Sequence, residues 1–145
     1  MILVYVRHAI AMDRDAFAKH CIENGIDADD ELRPLTIDGK RKMKKNAEGL
    51  VQGLHTFADS KSGLARPKPL IVSSPLVRAV DTASILASAF GKAKAKPDAV
   101  TETLAPNHSP KEFRDYLYDL IHSRPGRIHV NTMVIAVGHE PSLST

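Results

Sequence analysis

The stretch Ile2-Leu3-Val4-Tyr5-Val6-Arg7-His8 decides how this chain is read. Its five apolar residues make a buried strand, and a cation and an imidazole follow at once where that strand should end. In open α/β sheets, ligands gather beyond the carboxyl ends of the strands, and the planar fork of arginine matches the oxygens of a phosphate or carboxylate. Residues 7 and 8 are therefore an address for anion chemistry. An isolated pair of this kind also occurs at ordinary surface strand ends, so its meaning depends on the other strands.

Three further apolar runs follow: Leu70 to Val72, Val100 to Leu104 and Met133 to Val137. The first and last of these read as buried strands, like Ile2 to Val6, whereas Val100 to Leu104 alternates and reads as an edge strand. Helical patterns lie between them. Met43, Ala47, Leu50, Val51 and Leu54 share one helix face after Asp38-Gly39, and Val80, Ala83, Leu86, Ala87 and Phe90 share another after Ser74-Pro75. A third helix runs from about Pro110 to Ile121, with Ser109 as N-cap and Pro110 at its first position. Strands alternating with helices imply parallel pairing through right-handed crossovers, hence a three-layer α/β/α sandwich with a mainly parallel sheet.

The 145 residues suit one domain, residues 1–145. With 43% hydrophobic and 26% charged residues the composition is that of a water-soluble globular protein, and no apolar run approaches a membrane span. The start of the chain is strand-like rather than built as a secretory signal, so a cytoplasmic location is expected. The net charge of +3, from 20 basic and 17 acidic residues, is too balanced to favour nucleic acid as a partner. Cys21 is the sole cysteine, which excludes an internal disulfide and multi-cysteine metal sites, and it reads as a buried structural thiol. Lys40-Arg41-Lys42, Lys44 and Lys45 read as the solvated face of the first long helix. His20, His55, His108, His122 and His129 lack metal-ligand spacing and read as surface or capping residues.

The segment from Asp13 to Leu35 is long for a connection, includes a candidate short helix from Asp13 to Cys21, and reads as a cover over the site. Gly53 to Pro69 and Gly91 to Pro97 read as surface loops. The chain stops at Pro141-Ser142-Leu143-Ser144-Thr145, apparently within the first turn of another helix. Either a final helix and an edge strand lie beyond this stretch, or the domain is unusually short.

Applied to every strand, the strand-end rule repeats the same chemistry. Val72 is followed by Ser73, Ser74 and, in the first turns of the next helix, Arg78; Val137 is followed by Gly138, His139 and Glu140. Two arginines can hold phosphoryl oxygens by charge-assisted hydrogen bonds, and the helix starting near Pro75 adds backbone N–H groups and a favourable dipole end. One imidazole can attack phosphorus while its other nitrogen is held by a backbone carbonyl, and the second, once protonated, can stabilise the transition-state charge. Ser73 and Ser74 read as helix-start residues rather than nucleophiles, because no Gly-x-Ser-x-Gly turn surrounds them.

Four motifs in order, Arg7-His8-Ala9, Arg33-Pro34-Leu35-Thr36 with Gly39, Ser73-Ser74-Pro75-Leu76-Val77-Arg78-Ala79 with Thr82-Ala83, and Val137-Gly138-His139-Glu140-Pro141-Ser142, resemble the histidine phosphatase superfamily. Their wording and the compact length are most similar to the SixA-type phosphohistidine phosphatases. The resemblance implies a phosphoglycerate mutase-like fold and a phosphatase in which His8 becomes phosphorylated and water then hydrolyses the phosphohistidine. Arg7, Arg78 and His139 would complete the catalytic set, with no metal and no cofactor. It further implies a phosphorylated protein, carrying a phosphohistidine domain, or a small phosphorylated metabolite as partner, without nucleic acid or membrane. Ala9 replaces the usual glycine, a change that is tolerated if the backbone there does not require a positive φ. Relatives often use a carboxylic acid to protonate the leaving group, and Glu102 is the candidate, with an ordinary strand-end charge as its other reading. Arg14 and Arg33 are candidate substrate contacts from the cover. A phosphoglycerate mutase-like transferase and a non-catalytic phosphate-binding or interaction module are the alternative functions.

Overall fold

A computed structural model describes residues 2–60, 68–123 and 133–139. Its four strands, β1 (Ile2–Arg7), β2 (Leu70–Ser73), β3 (Ala99–Val100) and β4 (Met133–Gly138), form a parallel sheet in the order β1-β4-β2-β3. The helices are α1 (Arg14–Glu23), α2 (Ile37–Asp59), α3 (Val77–Ala89) and α4 (Pro110–Ser123). Because strand side chains alternate, β4 sends Ile135 and Val137 to one face and Val134 and Ala136 to the other. The first set packs with Met43 and Ala47 of α2 and Ala83 and Leu86 of α3; the second packs with Phe113, Leu117 and Leu120 of α4. Helices thus cover both faces of the sheet, as the three-layer reading expects. Among the described residues no helix is long and apolar enough to cross a membrane.

Local signals set the helix starts. The Asp13 carboxylate caps α1 at Asp15 N–H and Ala16 N–H, and the Thr36 hydroxyl caps α2 at Gly39 N–H. The α4 start is a capping box in which Glu112 accepts from Ser109 N–H at 2.8 Å, with Pro110 at the first helical position. At Gly39 an added Cβ would strike the Ile10 carbonyl oxygen, so the cover can lie against α2 only with glycine there.

Three expectations need correction. β1 is an edge strand among the described residues rather than a buried one: Leu3 is 46% exposed, while its neighbour β4 is buried throughout. β3 lies at an edge as expected but ends after two residues. The Thr101 hydroxyl accepts from Thr103 N–H, which turns the chain out of the ladder into a 3-10 turn, Glu102–Leu104, that buries Leu104 against α4. The loop read from Gly53 is helical as far as Asp59, because α2 continues through Gly53; residues 61–67 lie outside the described residues. Outside them also lie His129, Glu140 and the final segment 141–145.

Candidate active site

Three strands bring their ends to one place. Beyond the ladder, His8 N–H donates to the Gly138 carbonyl at 3.0 Å and Ser74 N–H to the Val137 carbonyl at 3.1 Å, so the pairing of β1 and β2 with β4 continues into the site. At Gly138 a Cβ would lie 2.7 Å from the Tyr5 hydroxyl oxygen, so a larger residue there would have to displace the Tyr5 ring. An open cleft of about 860 Å³ forms over these ends, and Arg7, His8, Arg78 and His139 all line it.

The ring centroids of His8 and His139 are 4.9 Å apart, with planes inclined at 54°. His8 Nδ1 lies 2.7 Å from the Ala9 carbonyl oxygen. A carbonyl only accepts, so Nδ1 carries the proton and Nε2 keeps a lone pair. Burial lowers the His8 pKa, the bond to Ala9 partly offsets this, and the charges of Arg78, Arg7 and Arg33 lower it further. His8 is therefore the neutral imidazole near pH 7.

His139 is buried, with Nε2 2.8 Å from Ser74 Oγ. Ser74 Oγ also accepts from Leu76 N–H at 3.2 Å; when its own proton is donated to His139 Nε2, the ring proton sits on Nδ1. Burial, then the charge that His8 carries once acid protonates it and the charge of Arg78, push the His139 pKa down to about 3. The expected second imidazole is thus neutral in the ligand-free site and acts as an N–H donor rather than as a cation.

Arg78 is 3% exposed, on the first turn of α3. Two buried side-chain nitrogens among the described residues have no hydrogen-bond partner, and they are Arg78 Nε and His139 Nδ1. Buried polar nitrogens are rarely left unpaired, so two of them in one cleft point to a polar group that belongs there. Thr82, fully buried on α3, accepts from Ala9 N–H at 2.9 Å and donates to the Arg78 carbonyl at 2.8 Å, joining the segment after His8 to the arginine.

Of the other sequence candidates, Arg14 lines the cleft with a side chain 77% exposed. Arg33 also lines it but is buried, donating to the Met12 carbonyl at 2.8 Å and to Asp30 at 2.9 Å. Glu102 is not among the lining residues; it opens the 3-10 turn, whose exit brings Pro106 and Asn107 to the cleft instead. Asn107 takes φ 71, a left-handed conformation that Asn tolerates better than most residues. Ala9 has no positive φ, so the local backbone does not require glycine there. Sequence reasoning missed Asp30, the only carboxylate lining the cleft among the described residues. Its one local signal is the three-residue spacing to Arg33.

No protein-family model matches the chain. An uncharacterised protein of Picosynechococcus sp. is 34% identical over 144 residues, which span 99% of this chain and 68% of that protein. A structure of the protein histidine phosphatase SixA complexed with tungstate superposes with a TM-score of 0.61 at 20% identity, over 99% of this chain and 72% of the other. The Agrobacterium tumefaciens protein assigned as phosphohistidine phosphatase SixA gives 0.60 at 18% identity, over 97% and 70%. The chain belongs to the family of the Picosynechococcus protein, and its fold is that of the histidine phosphatases. Mycobacterial hydrolase 1 shares this histidine phosphatase fold, with a TM-score of 0.56 at 19% identity over 98% of this chain and 76% of that one.

Proposed function

We propose that residues 1–145, acting as one domain, form a metal-independent phosphatase that works through a phosphohistidine on His8. The observation that carries this reading is the meeting of a free lone pair on His8 Nε2 with two unpartnered buried nitrogens, Arg78 Nε and His139 Nδ1, in one cleft; with the His139 ring proton on Nδ1, both are donors. A phosphoryl group satisfies all three. Its oxygens accept from Arg78, His139 and the exposed Arg7, and its phosphorus lies open to Nε2. That a SixA protein of this fold was obtained with tungstate, a phosphate-like oxyanion, agrees with this use of the cleft.

In the first step the Nε2 lone pair attacks phosphorus, and the bond to the leaving group breaks with its electrons. The leaving atom takes a proton from solvent. In the second step water attacks phosphorus, the P–N bond returns its electrons to Nε2, and inorganic phosphate leaves with the oxygen and protons of that water. Arg78 and His139 donate to oxygens whose charge changes during both transfers, and His139 does so without being charged itself.

The substrate favoured by the site is a phosphohistidine on a protein, with small phosphomonoesters next. Burial alone would raise the Asp30 pKa, but the hydrogen bond from Arg33 and the charges of Arg78, Arg33 and Arg14 outweigh it and hold the carboxyl below its ordinary value. Ionised at neutral pH, Asp30 is a poor proton donor, and a phosphoramidate asks less of a donor than an alkyl ester does. A phosphorylated protein of the cytoplasm is thus the proposed partner.

The test is incubation with a phosphohistidine protein, sugar phosphates, phosphoglycerates and nucleotides, each with and without EDTA. The expected result is an acid-labile, base-stable phosphoenzyme and turnover unaffected by EDTA, both lost in a folded His8→Ala variant. Labelling or turnover that survives this substitution overturns the reading.

A further inference from the structure

Met12, Arg33, Asp30 and Arg78 form a continuous polar chain at the cleft, of which the phosphoryl chemistry above uses only Arg78. The Met12 carbonyl accepts from Arg33 Nη1 at 2.8 Å, and Arg33 Nε donates to Asp30 Oδ1 at 2.9 Å. Arg78 then donates twice to the same aspartate, from Nη1 to its backbone carbonyl at 2.8 Å and from Nη2 to Oδ2 at 3.1 Å. Asp30 is the first residue of a 3-10 turn, Asp30–Leu32, held by the Asp29 carboxylate through Glu31 N–H. The cover segment therefore reaches down to the buried arginine by one residue that uses both its main chain and its side chain.

This arrangement fixes which part of Arg78 is available. A guanidinium is rigid and planar, with five N–H donors in a fork, so holding two of its nitrogens fixes the direction of the third. Asp30 engages Nη1 and Nη2, and Nε is the nitrogen left unpartnered. Extending the reading proposed above, we infer that Asp30 is a positioning residue, which grips Arg78 by its terminal nitrogens so that the Nε–H donor is presented to the phosphoryl group. Arg33 anchors Asp30 in turn, and its bond to Met12 fixes that anchor to the opposite arm of the cover. The carboxylate also supplies the counter-charge for a cation that is otherwise nearly sealed from water, where an unpaired charge is costly.

An opposite role is physically conceivable: a carboxylate beside the pocket could simply repel an incoming dianion and compete with it for Arg78. The two roles give opposite signs. If Asp30 competes, its neutralisation tightens anion binding; if Asp30 positions, the same change weakens it. Action through Arg78 adds a second requirement, since the effect must vanish when Arg78 is absent.

The experiment is a double-mutant cycle on orthovanadate binding, followed by calorimetry, with wild type, Asp30→Asn, Arg78→Ala and the double variant. Asp30→Asn is expected to raise the Kd about tenfold in the wild-type background and less than twofold in the Arg78→Ala background. Its ligand-free melting temperature should stay within a few degrees of wild type, and the loss in turnover should appear in KM more than in kcat. Arg33→Gln, which removes the anchor and leaves Asp30 in place, is the second variant, expected to weaken vanadate a few-fold. Tighter or unchanged binding in both variants overturns the inference, as does an equal effect of Asp30→Asn with and without Arg78. Wild-type protein that fails to bind vanadate overturns the phosphatase reading as well, so the two failures are distinguishable.

Discussion

The floor of the cleft is made by strand ends whose backbone ladder runs on into the site, whereas its cover is two arms joined mainly to each other. His8 and Ser74 extend the pairing with β4, and Ser74, Arg78 and His139 are all buried. In the cover, Met12 N–H donates to the Pro34 carbonyl and Thr36 N–H to the Ile10 carbonyl, while the Asp30 side chain is 50% exposed. A floor of this kind is rigid because moving one group means breaking a sheet. The cover is tied to the floor through one half-exposed carboxylate, Asp30, whose pair with the exposed Arg14 is worth little in water. On the proposed reading, chemistry belongs to the floor and choice of substrate to the cover.

The largest expected effect falls on the floor. Arg78→Ala removes the buried charge and its Nε–H donor and leaves Asp30 to Arg33, and it should weaken orthovanadate binding by about 3 kcal/mol, roughly a hundredfold in Kd. Vanadate affinity at the wild-type level would dissolve the distinction between floor and cover.

Acid stability comes next. His139 has its pKa lowered to about 3 in the folded protein, so between that value and the ordinary 6.5 the unfolded chain binds a proton that the native one refuses. Stability is retained above the unfolded value and falls as pH drops through this window, by up to about 3 kcal/mol from pH 7 to pH 4. Denaturant melts across that range check it, and His139→Asn should flatten the dependence. A slope unchanged by that substitution would assign acid sensitivity to other groups.

A smaller effect is expected at Ser74, which sits beneath the ring rather than in the cleft. Ser74→Ala leaves His139 free to adopt the other tautomer and should lower kcat/KM about tenfold, in line with the 1–2 kcal/mol of one lost buried hydrogen bond. Ser74→Thr, which keeps the hydroxyl, should recover most of the loss if its methyl group fits. Equal losses in both variants would mean that packing, not the proton, matters at this position.

The sequence reveals the floor because strand-end positions are a local property. Arg7, His8, Arg78 and His139 each sit a fixed few residues from an apolar run, so one rule places them at a common edge. Where the reading erred, the determinant was not local. β1 is at least as apolar as β2, and only the strand order makes one an edge among the described residues and the other internal. The short β3 depends on whether the Thr101 hydroxyl serves the 3-10 turn or the ladder is extended. Asp30 escaped notice because its decisive partner, Arg78, lies 48 residues away. Arg33 was noticed for its charge, but its burial depends on the Met12 carbonyl from the other arm of the cover.

One hydroxyl also sets the tolerance of the site. Thr82 Oγ1 accepts from the amide just after His8 and donates to the carbonyl of Arg78, so a single atom acts as a gauge block between the two. Valine has nearly the same outline and would fill the same space, yet it would leave that spacing unmeasured. In engineering terms, the core around Thr82 supplies strength and its oxygen supplies accuracy, and this fold can lose the second while keeping the first.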